Sequence, residues 1–269
     1  MRRLGVLLAV AVAVAVACGA ASSTARADTP PPSLFAGAGV FVDNEGNFPG
    51  PWALADELAR DGFSWIALKA MDGWVSEDVD TQWIEAFRAR GFLVGGWGAL
   101  ETHPLIDAVL ANLQIQRYGF DFYIADAERS YESNQRGGWR SASFVSVFRQ
   151  LQPTLPAALV TFGAAPAPRV LPIDYASWRN AGFELLPEAY YNQFPLYRPD
   201  LTVQHAIRAG WTADHVHPVI GVYHKYPASN YVPLLANDGA TGFSVFLADQ
   251  ATAADFQALA GLAHAASGR

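Results

Sequence analysis

Beyond the stretch Thr29-Pro-Pro-Pro-Ser33, apolar runs of strand length alternate with segments of helical period, recurring at roughly thirty-residue spacing. Strands are predicted at Leu34 to Val42, Phe63 to Ala70, Phe92 to Trp97, Phe122 to Asp126, Ala158 to Phe162, Phe183 to Glu188, Pro218 to Tyr223 and Gly242 to Leu247. Each is followed by a helical pattern: Trp52 to Arg60, Thr81 to Arg90, Pro104 to Tyr118, Ser141 to Leu151, Tyr175 to Ala181, Val203 to Ala209, Tyr231 to Asn237 and Ala253 to His264. Gly62, Gly91, Gly119, Gly182, Gly210 and Gly239 stand where helix C-caps belong. Eight strand-then-helix units predict an α/β fold of (β/α)₈ barrel type, one domain over residues 34–269. An open doubly wound sheet is the alternative, but no G-x-G-x-x-G follows the first strand, so no nucleotide cofactor is expected.

One run ends in an unusual way. In Asp121-Phe-Tyr-Ile-Ala-Asp126-Ala-Glu128 a core strand finishes in two carboxylates two residues apart. Alternation puts Phe122, Ile124, Asp126 and Glu128 on one face and Tyr123, Ala125 and Ala127 on the other. Buried ionisable groups are costly unless paired, so such a pair at the mouth of a strand points to chemistry. A salt-bridged strand end, with Lys69 or Arg129 as partner, is the structural alternative.

The start of the chain changes the cellular context. Met1-Arg-Arg followed by an apolar run to Ala17, with Ala25-Arg26-Ala27 as a small-x-small cleavage site, predicts a signal peptide over residues 1–27 and a Pro-rich leader over 28–33. The run is shorter than the roughly 20 residues of a membrane-spanning helix, so a secreted or extracytoplasmic protein with no transmembrane segment is expected. A lipoprotein anchored through Cys18, in Ala15-Val-Ala-Cys18-Gly19, is the competing expectation. Cleavage removes three arginines and no acid, leaving 15 basic against 25 acidic residues and a formal charge of −10. Nucleic acid is thereby excluded as a partner, and an acidic, aromatic-rich monomer acting on a glycan is expected.

In a barrel, catalytic groups sit where strands end. Those positions hold Asp43 after the first strand, Lys69 and Asp72 after the second, Glu101 after the third, and Asp126 with Glu128 after the fourth. They continue with Glu188, Tyr190, Tyr191, Asn192 and Gln193 after the sixth, Tyr223, His224 and Lys225 after the seventh, and Asp249 with Gln250 after the eighth. Trp74, Trp97, Trp139 and Tyr131 share these loops, and aromatics there can stack on sugar faces while carboxylates and amides bind hydroxyls.

Cleaving a glycosidic bond needs a protonated carboxylic acid at the leaving oxygen, and a second carboxylate or the substrate's own acetamido group at the cationic carbon. Glu128 is the expected acid, its proton retained through partial burial and through Asp126, which is expected to stay ionised and orient it. Two acids on one strand are poorly placed to flank a sugar from opposite sides, so the second carboxylate is expected from another strand: Glu188 first, then Asp43 and Asp249.

An Asp-x-Glu at the end of strand four in an exported α/β barrel resembles the lysozyme-type family 25 glycoside hydrolases and, more distantly, the family 18 chitinases. The resemblance implies that Glu128 is the proton donor, that Asp126 assists and that Asp43, in Gly39-Val-Phe-Val-Asp43, is the acid of strand one. The chain departs from the chitinase pattern in two places. Phe122 and Tyr123 stand where further acids belong, and Tyr190-Tyr-Asn192 replaces a Tyr-Asp pair on strand six.

His215-x-His217 has metal-ligand spacing but falls at the entry to strand seven, away from the catalytic rim, so no metal is expected. No Gly-x-Ser-x-Gly elbow is present, and with Cys18 in the leader a cysteine nucleophile is excluded. The expected function is therefore a secreted carbohydrate-active hydrolase cleaving a polysaccharide such as peptidoglycan. Two alternatives remain: a barrel that binds glycan without cutting it, and a lyase or aldolase using Lys69 as a Schiff-base amine.

Overall fold

Large aromatics fill the inward positions of the strands, and glycine is placed where they need room. In the computed structural model, which describes residues 33–48, 50–128, 130–132, 137–162, 173–223 and 226–268, eight parallel strands close on themselves. They are β1 (Ala38–Val42), β2 (Phe63–Asp72), β3 (Leu93–Ala99), β4 (Tyr123–Asp126), β5 (Ala157–Thr161), β6 (Glu184–Ala189), β7 (Val219–Gly221) and β8 (Phe243–Phe246). Each pairs in parallel with its neighbours in chain order, and β1 joins both β2 and β8, which closes the barrel.

Helices α1 (Pro51–Arg60), α2 (Thr81–Arg88), α3 (Pro104–Tyr118), α4 (Gly137–Leu151), α5 (Tyr175–Asn180), α6 (Pro199–Arg208), α7 (Val232–Leu235) and α8 (Ala253–Ser267) surround it. All six glycines expected at helix ends take left-handed φ values between 63° and 96°. The chain is thus a single-domain (β/α)₈ barrel.

Two cores follow from the strand alternation. Outward side chains such as Val40, Ile66, Leu68, Tyr123 and Leu185 pack against the helices. Inward ones, among them Phe41, Trp65, Trp97, Phe122, Ile124 and Leu186, fill the lumen. A Cβ on Gly39 would lie 2.0 Å from the Trp65 ring and one on Gly95 2.3 Å from Phe122, so these two glycines let the rings occupy the barrel axis. Trp65 and Phe122 meet edge to face at 5.6 Å, and Phe35 caps both from below at 5.5 and 5.3 Å.

Phe35 explains a difference from the expected first strand. Leu34–Ala36 forms a 3₁₀ turn, capped by the Ser33 hydroxyl that accepts from the Phe35 N–H, and plugs the lumen before β1 begins at Ala38. β2 runs on to Asp72 and turns at Gly73 into an antiparallel two-residue strand, Val75–Ser76. α4 starts at Gly137 and α6 at Pro199, earlier than expected; a proline in the first turn suits α6 because its missing N–H has no helical partner there. The expected helix at 231–237 is one turn after a 3₁₀ segment, Ala228–Asn230. Residues 1–32, with the expected signal peptide and Cys18, lie outside the described residues.

Candidate active site

β4 supplies the first half of the site by parity. Phe122 and Ile124 point into the lumen while Tyr123, Ala125 and Ala127 join the outer core, so Asp126 continues the inward row at the C-terminal mouth. β5 holds this strand end through the Ala127 N–H, which donates to the Val160 carbonyl at 3.0 Å, and the Leu100 N–H after β3 donates to the Asp126 carbonyl at 2.8 Å. β6 supplies the second half. Leu186 is inward and Glu188 follows it two residues on, only 4 % exposed.

One carboxylate oxygen from each of Asp126, Glu128 and Glu188 lies within 4.8 Å of the other two. Oδ1 of Asp126 and Oε2 of Glu188 are buried without a hydrogen-bond partner among the described residues. Burial, then the charges of Glu128 and Glu132, push the Asp126 carboxyl well above the usual range, with Lys69 opposing. Burial, then Asp126, Glu128 and Glu132, do the same to Glu188. Asp126 was expected to stay ionised; its burial instead favours the protonated form, because solvation of the carboxylate is lost and its neighbours are acids.

Glu132 is a member that sequence reasoning missed. The Tyr131 and Glu132 N–H groups both donate to the Glu128 carbonyl, at 2.8 and 3.2 Å, and this turn swings Glu132 back to the cluster. There it accepts from the Thr161 hydroxyl at 3.0 Å. The four-residue interval from Glu128 to Glu132 was the signal available.

Beneath the acids lies an aromatic floor. Trp97 is 3 % exposed and donates its indole N–H to the Val42 carbonyl at 2.9 Å; Tyr190 stacks on Phe246 at 5.6 Å, and Tyr223 meets Tyr190 edge-on at 5.7 Å. Lys69 sits 5.4 Å from the Trp97 ring centre and bridges Asp43 at 2.8 Å and Asp72 at 3.2 Å. Burial alone would lower the Lys69 pKa, but the bonds to Asp43 and Asp72 outweigh it and hold the amine protonated. A neutral Schiff-base amine is therefore disfavoured at this position.

Other expected binding residues are otherwise engaged. Tyr131 is fully buried in the outer core and donates its hydroxyl to Asp107 at 2.8 Å, so it does not line the cup. Asn192 is a clip: its side chain donates to the Tyr223 carbonyl at 3.2 Å and accepts from the Tyr231 hydroxyl at 3.1 Å. Asp249 accepts from the Asn47 amide at 2.9 Å, tying the loop after β8 to the loop after β1. Glu101 is exposed on the rim, where its carbonyl accepts from the Ser130 hydroxyl. Trp74 and Trp139 are exposed. His224, Lys225 and Arg129 lie outside the described residues.

His215 and His217 both face Glu184, at 3.0 and 3.4 Å, on the N-terminal side of the barrel opposite the acids. The Glu184 carboxylate meets the imidazoles that the H-x-H spacing had offered to a metal.

A scan against protein-family models finds no match, and neither does a search of curated proteins. Solved structures do match. A GH18 chitinase from Pseudoalteromonas aurantia aligns with TM-score 0.60 at 11 % identity, covering 84 % of this chain and 99 % of that one. The C-terminal domain of a putative chitinase from Desulfitobacterium hafniense aligns with TM-score 0.63 at 10 % identity, covering 86 % and 99 %. The Bacillus cereus spore cortex-lytic enzyme SleL aligns with TM-score 0.60 at 9 % identity, covering 83 % and 73 %. At such identities the likeness is one of fold: the chain has the barrel that these glycan-directed proteins also have.

Proposed function

We propose that the chain is an exported glycan-cleaving hydrolase with Glu128 as its acid. The observation that carries this reading is the convergence of Asp126, Glu128 and Glu188 from two strands at the catalytic mouth of the barrel, over an aromatic floor. The similarity of fold to chitinases and a spore cortex-lytic enzyme supports it. So does the charged and apolar start of the sequence, for export. No helix among the described residues is long and apolar enough to cross a membrane.

In the proposed mechanism Asp126 and Glu188 do not ionise together, because burial and the neighbouring acids raise both, and Glu128 carries the proton to be donated. Glu128 gives its proton to the glycosidic oxygen as that C–O bond breaks. Glu188, ionised while Asp126 holds a proton, forms a bond to the anomeric carbon. Water then displaces Glu188 and returns a proton to Glu128, regenerating the site. Because Glu188 acts as nucleophile in this scheme and water then displaces it from the face that the leaving group vacated, retention of configuration is expected.

Reducing-end release from cell-wall and fungal polysaccharides, measured for the protein and for Glu128→Gln, tests the reading. A loss of at least about a hundredfold in the variant, with glycan binding kept, is expected for a general acid. Turnover indifferent to the substitution overturns the assignment; binding without turnover by the unaltered protein makes the barrel a glycan binder.

A further inference from the structure

The rim between β1 and β2 carries an excess of negative charge that neutral-sugar hydrolysis does not require. A cleft of about 410 Å³ opens there, lined by Asp43, Glu45, Glu77 and Asp78 with Lys69 as its cation. Lys69 is already taken by Asp43 and Asp72, and Asp78 is paired at 2.9 Å with Arg117. Glu45 accepts the Asp80 N–H at 3.0 Å, and Glu77 makes no ion pair among the described residues. Burial, opposed by that N–H bond and helped by the Asp80 charge, pushes Glu45 up to about 7.

The cleft adjoins the cup, since Lys69 lines the one and lies 5.4 Å from the ring centre of Trp97 in the floor of the other. Within the cup, the buried Glu188 has an oxygen that no donor of the described chain satisfies. Both places want positive or hydrogen-bond-donating ligand groups.

We infer that the substrate is a glycan whose sugars carry free, protonated amino groups: an unacetylated hexosamine polymer seated with ammonium groups in the β1–β2 cleft. This rests on the glycan-hydrolase reading. Carboxylates facing an ammonium gain charge-assisted hydrogen bonds, whereas a uronic-acid polymer is repelled, and an acetamido group offers one neutral N–H for the same desolvation. A free amine also has no acetamido oxygen to stabilise the anomeric centre, so the second carboxylate must come from the protein, the role given above to Glu188.

The test uses Glu128→Gln, titrated calorimetrically with a glucosamine oligomer and its N-acetylated counterpart at low and high salt. With several partly exposed pairs each worth a modest fraction, the unacetylated oligomer is expected to bind about tenfold more tightly at low salt, an advantage that salt diminishes. Adding Glu77→Gln is expected to weaken that binding about threefold without changing binding of the acetylated oligomer. Equal or tighter binding of the acetylated oligomer, or a preference that ignores salt and Glu77→Gln, overturns the inference. Reducing-end release by the unaltered protein separates the two readings. Selective binding with neither polymer cut removes the hydrolase reading and leaves the ligand class standing, while acetylated polymer cut and preferred does the reverse.

Discussion

Asp126 on β4 and Glu188 on β6 place carboxylate oxygens within 4.8 Å of each other although the two residues lie on non-adjacent strands. Parallel strands that tilt round a barrel bring their C-terminal ends to one rim, and the inward register of both strands aims the two acids at the same volume. The cost is lost solvation first and like charge second: burial raises the proton affinity of both acids, Asp126 raises that of Glu188, and Glu128 and Glu132 raise that of both.

That cost predicts a pH signature. The folded state raises the Asp126 pKa, so above the unfolded value of about 4 it binds a proton that the unfolded chain has lost, and stability falls as pH rises until the folded value is passed. Asp126→Asn removes the penalty. Urea denaturation is expected to show the variant about 1–2 kcal/mol more stable than the unaltered protein in mild alkali, with the difference shrinking in acid, while turnover drops.

Asp238 offers a control outside the cup. Burial pushes its carboxyl up to about 7 against the pull of the Ala240 N–H, which donates to it at 2.8 Å. Its contribution also erodes stability as pH rises, here across the window from about 4 to about 7, by up to about 4 kcal/mol in total. Asp238→Asn keeps the acceptor for Ala240 and is expected to flatten thermal stability across that window with kinetics unchanged.

Tyr131→Phe distinguishes core from site. The hydroxyl bonds buried Asp107 at 2.8 Å, so its loss takes a donor from that buried carboxyl and is expected to cost about 1–3 kcal/mol in denaturation. kcat/KM per folded molecule should stay within about twofold, as expected for a residue that does not touch substrate. A selective rise in KM would return Tyr131 to the cup.

Gly95→Ala probes the lumen. The added Cβ would lie 2.3 Å from the Phe122 ring in a closed barrel that cannot spread easily, so a loss of about 1–3 kcal/mol is expected. Melting temperature compared with Gly91→Ala, where the added atom meets nothing within 4 Å but φ is 80°, separates crowding from backbone strain.

Much of this was legible beforehand because it is local. A two-residue period sets which side of a strand a side chain takes, and the alternation of that period with helical segments is enough to give eight βα units, their order and the inward row that ends in Asp126. The neighbourhood of Glu188 was reachable by topology alone, since a closed parallel barrel brings every strand end to one rim. Loop side chains have no such rule. Tyr131 went into the outer core because Asp107 of α3 offered its hydroxyl a buried acceptor, and Asn192 became a clip because Tyr231 and the Tyr223 carbonyl met its amide. Glu132 reached the acids through a turn. Protonation was equally beyond the sequence: whether Asp126 keeps a proton depends on how much water and how many charges surround it, and those are set by packing between residues far apart in the chain.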